Sequence, residues 1–309
     1  MNEFELISHL TRSVPTNKSV VLGPGDDCAL LDFDLPDRLL LFKTDAVVEG
    51  VHFATGAAPE KIGHKAMARC LSDVAAMAGT PTAALVTIAL PPGFDTPRIE
   101  GVYAGLSALA RKHEVALAGG ETVASPGGLL ISIALLGWVQ RGKAVLRSGA
   151  EPGDALFVTG ELGGSMAGRH LEFEPRLAEA RWLAQQFCIH AMLDLSDGLA
   201  GDLRHVLKAS RVGAELLATA IPISRDARNA AKKPLGKAPL QAALSDGEDY
   251  ELLFALASRD AVPLVDAWKE QFPQLRLSCI GKITPHEGIS IRDKQGVRPL
   301  AAHGYVHFS

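Results

Sequence analysis

The sequence has 309 residues, 47% of them hydrophobic and 21% charged, with a formal net charge of -4. That is globular composition, with length enough for two domains. The charge excludes the basic footprint of a nucleic-acid or anionic-membrane binder. Four scattered cysteines, Cys28, Cys70, Cys188 and Cys279, form no CxxC pair and no zinc spacing. They read as reduced thiols of a cytoplasmic protein.

Residues 1–10 carry two glutamates and no apolar run, so no signal peptide is expected. A short helix is predicted over 3–11. The apolar run 39–42 reads as a strand ending before Asp45. Residues 59–79 read as a helix: Ile62, Ala66, Cys70, Val74 and Ala78 recur every fourth residue, with Met67, Leu71 and Ala75 in the adjacent row. A strand over 83–90, a helix over 97–113 and a strand over 115–118 follow. The longest apolar run, 129–139, is too short to span a bilayer and reads as a buried strand.

Residues 148–154 are turn-rich and mark a domain boundary, giving an N-terminal domain over 1–140 and a C-terminal domain over 148–309. Beyond the boundary come a strand over 155–159, a glycine-rich turn at Gly160, Gly163 and Gly164 entering a helix, and helices as far as His190. The last elements are strands over 192–195, 250–256 and 275–283 and helices over 199–210 and 262–272. Strands and helices mix in both halves, so each domain is α/β or α+β.

Six segments set carboxylates beside glycine or at the edge of a hydrophobic element: Gly25-Asp26-Asp27, Thr44-Asp45 with Glu49-Gly50, Ser72-Asp73, Gly119-Gly120-Glu121, Asp194-Leu195-Ser196-Asp197-Gly198, and Gly247-Glu248-Asp249. Taken singly, an Asp-Gly pair is a turn and an Asp before a helix is a cap. Asp73, four residues after Arg69, reads by itself as half of an intrahelical ion pair. If the segments converge, their carboxylates cannot all stay ionised without a cation. Hard oxygen ligands with Thr and Ser hydroxyls suit Mg²⁺, which keeps part of its shell for water and substrate phosphates. No EF-hand loop, Walker A sequence, dinucleotide fingerprint, GxSxG elbow or kinase catalytic-loop triplet is present. The Gly160–Gly164 turn has two readings, a phosphate cradle on helix N–H groups or a plain turn.

The ordered series Gly25-Asp26-Asp27-Cys28-Ala29, Thr44-Asp45 to Gly50-Val51-His52-Phe53, His64-Lys65-Ala66 to Leu71-Ser72-Asp73, Gly119-Gly120-Glu121-Thr122, Arg147-Ser148-Gly149, Asp194 to Leu199, and Gly247 to Leu252 resembles the thiamine-monophosphate kinase family, as does the ending Gly304-Tyr305-Val306-His307-Phe308. The resemblance runs from about residue 20 to the last. It implies the two-domain fold of the aminoimidazole-ribonucleotide synthetase superfamily: an α+β N-terminal domain that binds ATP and metal and pairs into a homodimer, and an α/β C-terminal domain. It implies direct, magnesium-assisted transfer from ATP to thiamine monophosphate. Position by position, it makes Asp27, Thr44, Asp45, Asp73, Glu121, Asp194 and Asp197 magnesium ligands. It makes Gly120, Glu121, Arg147 and Ser196 nucleotide contacts, and His52, Glu248 and Tyr305 contacts to the thiamine phosphate. The acceptor phosphate is already ionised at neutral pH, so no general base is required.

Three positions depart from the family pattern. Glu121 stands where Asp is usual, and its extra methylene moves the carboxylate by roughly 1.5 Å. Lys43 stands where a small hydroxyl residue is common, and Pro24 where an aliphatic one is. A working site with altered metal use is expected. The alternatives are another ATP-using member of the superfamily with a different acceptor, and a non-catalytic nucleotide-binding protein.

Overall fold

The structure is a computed structural model that describes residues 3–302, 304 and 305, the side chain of residue 4 excepted. The chain opens with α1 (Glu3–Thr11). Then come β1 (Val20–Leu22), β2 (Ala29–Leu31), β3 (Arg38–Val48), α2 (Pro59–Ala76), β4 (Thr80–Leu90), α3 (Thr96–Lys112), β5 (Ala116–Ala124) and β6 (Leu130–Gln140). The second half holds β7 (Ala155–Thr159), α4 (Leu177–Gln186), β8 (Ile189–Asp194), α5 (Leu199–Ser210), β9 (Gly213–Leu217), α6 (Arg225–Ala230), α7 (Pro239–Ser245), β10 (Leu252–Leu256), α8 (Ala261–Gln271), β11 (Leu277–Thr284), β12 (Gly288–Asp293) and β13 (Gly296–Pro299). Among the described residues no helix is long and apolar enough to cross a membrane.

These elements form two compact units. The N-terminal unit comprises Lys18–Ala144 and Gly168–Leu177; the C-terminal unit comprises α1, Val145–Ala167 and the chain from Ala178 onward. Helices and strands mix in both, as the sequence pattern predicts.

In the N-terminal unit six strands lie in the order β1-β2-β3-β6-β4-β5. Only β4 and β5 pair in parallel among the pairings of this sheet. Alternation turns Leu39, Leu41 and Val47 of β3 and Ile131, Ile133 and Leu135 of β6 to the buried side. There α2 covers them with Ile62, Met67, Leu71 and Val74, all fully buried. Each such side chain contributes about 1.5–3 kcal/mol. α2 and α3 approach closely because Gly63 and Gly105 have no side chain: a Cβ at Gly63 would overlap the Val102 carbonyl, and one at Gly105 the Glu60 carbonyl. The segment Gly168–Leu177 is fastened to these helices. Glu172 pairs with Lys61 at 2.7 Å, Glu174 with Lys112 at 2.7 Å, and the His64 ring meets the Phe173 carbonyl at 2.8 Å.

The C-terminal unit has seven strands in the order β13-β12-β9-β11-β7-β10-β8. Every residue of β7 and β10 is buried, in keeping with sequences that are apolar throughout except for Thr159. One face sends Leu156, Val158, Leu253 and Ala255 into a core with Leu199, Leu203 and Val206 of α5. The other stacks Phe157 on Phe254 at 5.6 Å between centroids.

Of the boundaries that differ from the sequence reading, three stand out. β3 runs on to Val48, so Asp45 lies within the strand rather than beyond its end. β5 runs to Ala124, so the Gly119–Thr122 segment is strand. Ile189 and His190 belong to β8, not to a helix.

Candidate active site

The strand alternation that buries Leu41 and Val47 also points Lys43 and Asp45 at α2. Lone charges on that side would be costly. Each meets a charge from the helix: Lys43 Nζ lies 3.0 Å from Asp73 Oδ1, and Asp45 Oδ2 lies 3.0 Å from Arg69 Nε. Arg69 therefore pairs with Asp45 across elements, beyond the intrahelical pairing with Asp73 that sequence spacing suggests. Arg69 Nη1 also donates to the Ala46 carbonyl at 3.0 Å. Burial pushes the Lys43 ammonium toward neutrality, but the charges of Asp73 and Asp45 outweigh it and hold the pKa above the usual lysine value. Asp27, 1% exposed, joins this charged set, with a carboxylate oxygen within 4.8 Å of one of Asp73. Its neighbour Cys28 anchors the loop by donating its amide to Met77 Sδ, just past α2, at 3.1 Å. The Cys28 thiol is raised by burial first, and then by the charge of Asp73.

Thr44 points the other way. It is exposed on the opposite face of β3, with Oγ1 3.4 Å from Ser132 Oγ on β6. Gly120 and Glu121 lie on β5, in register with Val86 and Thr87. Gly120 has to be glycine, because a Cβ would overlap the Val86 carbonyl. Glu121 is exposed and accepts the Thr122 amide at 2.8 Å.

His52 follows β3 in a tight turn. Its Nδ1 accepts the Val48 amide at 3.1 Å, which leaves the proton of a neutral ring on Nε2. The fully buried Lys65 donates to the His52 carbonyl at 2.6 Å. Glu49 is held by Arg98 at 2.8 Å and accepts the Leu129 amide at 2.9 Å. The Arg98 hydrogen bond and then the Leu129 amide hold its pKa below the usual value.

The C-terminal unit gathers its own set. Asp194 ends β8 and is buried. The loop after it interlocks with the loop before β10: the Glu248 amide donates to the Ser196 carbonyl at 2.7 Å, and the Tyr250 amide to the Leu195 carbonyl at 2.7 Å. The Tyr305 amide reaches the Asp197 carbonyl at 2.8 Å. Asp194, Ser196, Asp197, Glu248 and Tyr305 are thus brought to one region, although they come from three stretches of sequence. Asp202 supports it from α5, its Oδ2 accepting the amides of Asp197 and Gly198 at 2.9 and 3.0 Å. Burial first, then the charges of Asp197 and Asp194, raise the Asp202 carboxyl; the Asp197 amide and then Arg147 oppose the shift. One ligand atom each of Asp197, Asp202 and His205 lies within 4.8 Å of the others.

The donors gathered in each unit are hard carboxylate oxygens, which fits Mg²⁺ and not a soft metal. The Gly160–Gly164 turn is not free to cradle a phosphate. The Gly163 amide donates to Asp249 at 2.9 Å and the Gly164 amide to Asp246 at 3.1 Å. The turn leads into the short 3-10 turn Ser165–Ala167 instead of a helix. Sequence reasoning quoted Lys65 without giving it a role, and missed Asp202 and the Arg69–Asp45 pair. Asp202 lies five residues after Asp197 inside a helical pattern and carries no motif signal.

Residues 25–139 match the AIR synthase related protein N-terminal domain, and residues 151–294 the corresponding C-terminal domain. A thiamine-monophosphate kinase of Rhodopirellula baltica is 44% identical over 286 residues, covering 90% of this chain and 87% of that protein. The chain belongs to the thiamine-monophosphate kinase family. The Bacillus subtilis thiamine-monophosphate kinase is 35% identical and covers 100% of both chains. A solved structure described as AaThiL complexed with AMPPCP and TMP has a TM-score of 0.82 and 31% identity, over 99% of this chain and 97% of that one. Membership of this family makes the chain a phosphotransferase, and the two-domain α/β fold is that of the family.

Proposed function

We propose that the chain transfers the terminal phosphate of ATP directly to thiamine monophosphate, giving thiamine diphosphate and ADP. The observation that carries this reading is the likeness, over nearly the whole chain, to a structure described as complexed with AMPPCP and TMP. The donor sets add support. Asp27, Asp45 and Asp73 in the N-terminal unit, and Asp194 and Asp197 in the C-terminal unit, hold magnesium, with Thr44 and Glu121 contributing from β3 and β5. Magnesium so held neutralises phosphate charge, which is most of what phosphoryl transfer between two anions demands. Gly120, Arg147 and Ser196 hold the nucleotide. His52, Glu248 and Tyr305 hold the thiamine phosphate.

The enzyme works as a homodimer. β5 is an edge strand whose nine residues are all exposed, Leu117 and Val123 among them, and Leu85 of β4 adds exposed apolar surface beside it. An open apolar edge invites a second copy. The compartment is the cytoplasm, in keeping with four free cysteines.

Purified protein given ATP, Mg²⁺ and one acceptor at a time tests the activity. Thiamine monophosphate yields thiamine diphosphate and ADP in equal amounts, and unphosphorylated thiamine yields neither. ADP formed without thiamine diphosphate, or nucleotide bound without turnover, would overturn the assignment.

A further inference from the structure

Two protein cations sit among the N-terminal carboxylates, and they are held differently. Arg69 belongs to α2, pairs with Asp45 and donates to the Ala46 carbonyl, so its guanidinium ties the helix to β3. Lys43 comes from the strand. Its ammonium lies 3.0 Å from Asp73 Oδ1, with the two side chains only 24% and 10% exposed. An ammonium is a compact point charge with three donors. On a carboxylate oxygen it supplies what a metal ion supplies there, charge neutralisation. It also repels any divalent ion that approaches the same oxygen, and repulsion between like charges is strong at such separations in a partly desolvated site.

We propose that Lys43 is a resident cation filling one cation position of the N-terminal carboxylate set, so that this chain takes up one divalent ion fewer than it would with a neutral residue at position 43. The inference rests on the metal-assisted reading above. The Lys43 ammonium is covalently tethered and cannot be chelated, so part of the charge compensation at Asp73 is independent of free metal. Removing it takes that compensation from Asp73 Oδ1, and a divalent ion then supplies it.

Equilibrium dialysis against Mn²⁺ with AMPPCP, read by electron paramagnetic resonance, counts bound ions per chain without any turnover. Lys43→Met is expected to bind one Mn²⁺ more than the wild type, and Lys43→Arg, which keeps the charge, the wild-type number. Metal-free Lys43→Met is expected to melt below the wild type and to regain more on adding Mg²⁺. Lys43→Ser is the substitute should the methionine variant not fold. Equal stoichiometry in wild type and neutral variants, or a gained ion in Lys43→Arg, would overturn the inference and leave the metal-assisted reading standing. A wild type that binds no Mn²⁺ with AMPPCP would overturn that reading itself.

Discussion

The Glu248 amide donates to the Ser196 carbonyl at 2.7 Å, joining two loops about fifty residues apart in sequence. The approach depends on Gly247, which has φ +73° and whose absent Cβ would lie 2.6 Å from the same carbonyl. Gly247→Ala is expected to cost about 1–3 kcal/mol through strain and overlap. It should also raise the KM for thiamine monophosphate more than it lowers kcat. Denaturant melts and steady-state kinetics test this; an alanine variant as stable and as tight as the wild type would contradict it.

Asp45 is placed by strand alternation and fixed by Arg69. Asp45→Asn keeps its shape but loses the charge. We expect kcat to fall by about 10²–10³, the scale of removing one electrostatic stabiliser, with the fold retained by circular dichroism. Unchanged kinase activity in the purified variant would remove Asp45 from the site.

How much of this was legible in the sequence varies with the element. α2 was, because its apolar residues keep helical spacing and it buries nearly all of them. The acidic segments were legible as a set, but not their geometry. The apolar run of β3 stops at Phe42, and a reader of hydrophobicity stops there too. The strand continues because the charges of Lys43 and Asp45 are satisfied from α2, a tertiary effect that no local pattern carries. The strand read over 115–118 stops before Gly119-Gly120 for the same kind of reason: β5 continues, and needs a glycine because β4 lies too close for a side chain. The alternation that sends Thr44 and Asp45 to opposite faces becomes visible only once residues 38–48 are known to be one strand.

The open edge of β5 gives a prediction about assembly. Leu117→Glu with Val123→Glu places charges on the proposed contact and should convert a dimer to a monomer in light scattering, leaving the melting of the separate chain nearly unchanged. A wild type that runs as a monomer at micromolar concentration would contradict the homodimer.

Glu174 predicts a pH dependence of stability. Burial raises its pKa, but hydrogen bonds from His113 and Lys112, with their charges, outweigh it and hold the carboxyl at about 2 against an ordinary 4.5. The folded value lies below the unfolded one, so the stabilisation is complete above about pH 4.5 and fades as pH falls toward about 2. Because the group is substantially exposed, solvent screening limits it to about 1 kcal/mol. Glu174→Gln should therefore be slightly less stable than the wild type at neutral pH, with the gap closing in that acid window. A gap independent of pH would contradict the ion-pair origin.

The central claim is direct phosphoryl transfer between two phosphate anions arranged by acidic, metal-holding side chains. A single-turnover, acid-quenched reaction with γ-³²P-labelled ATP, Mg²⁺ and thiamine monophosphate tests it most directly. The account predicts that label leaves ATP and appears at the same rate in thiamine diphosphate, with none on the protein and none transferred when Mg²⁺ is chelated. Label accumulating on the protein ahead of product, or transfer that survives chelation, would contradict it.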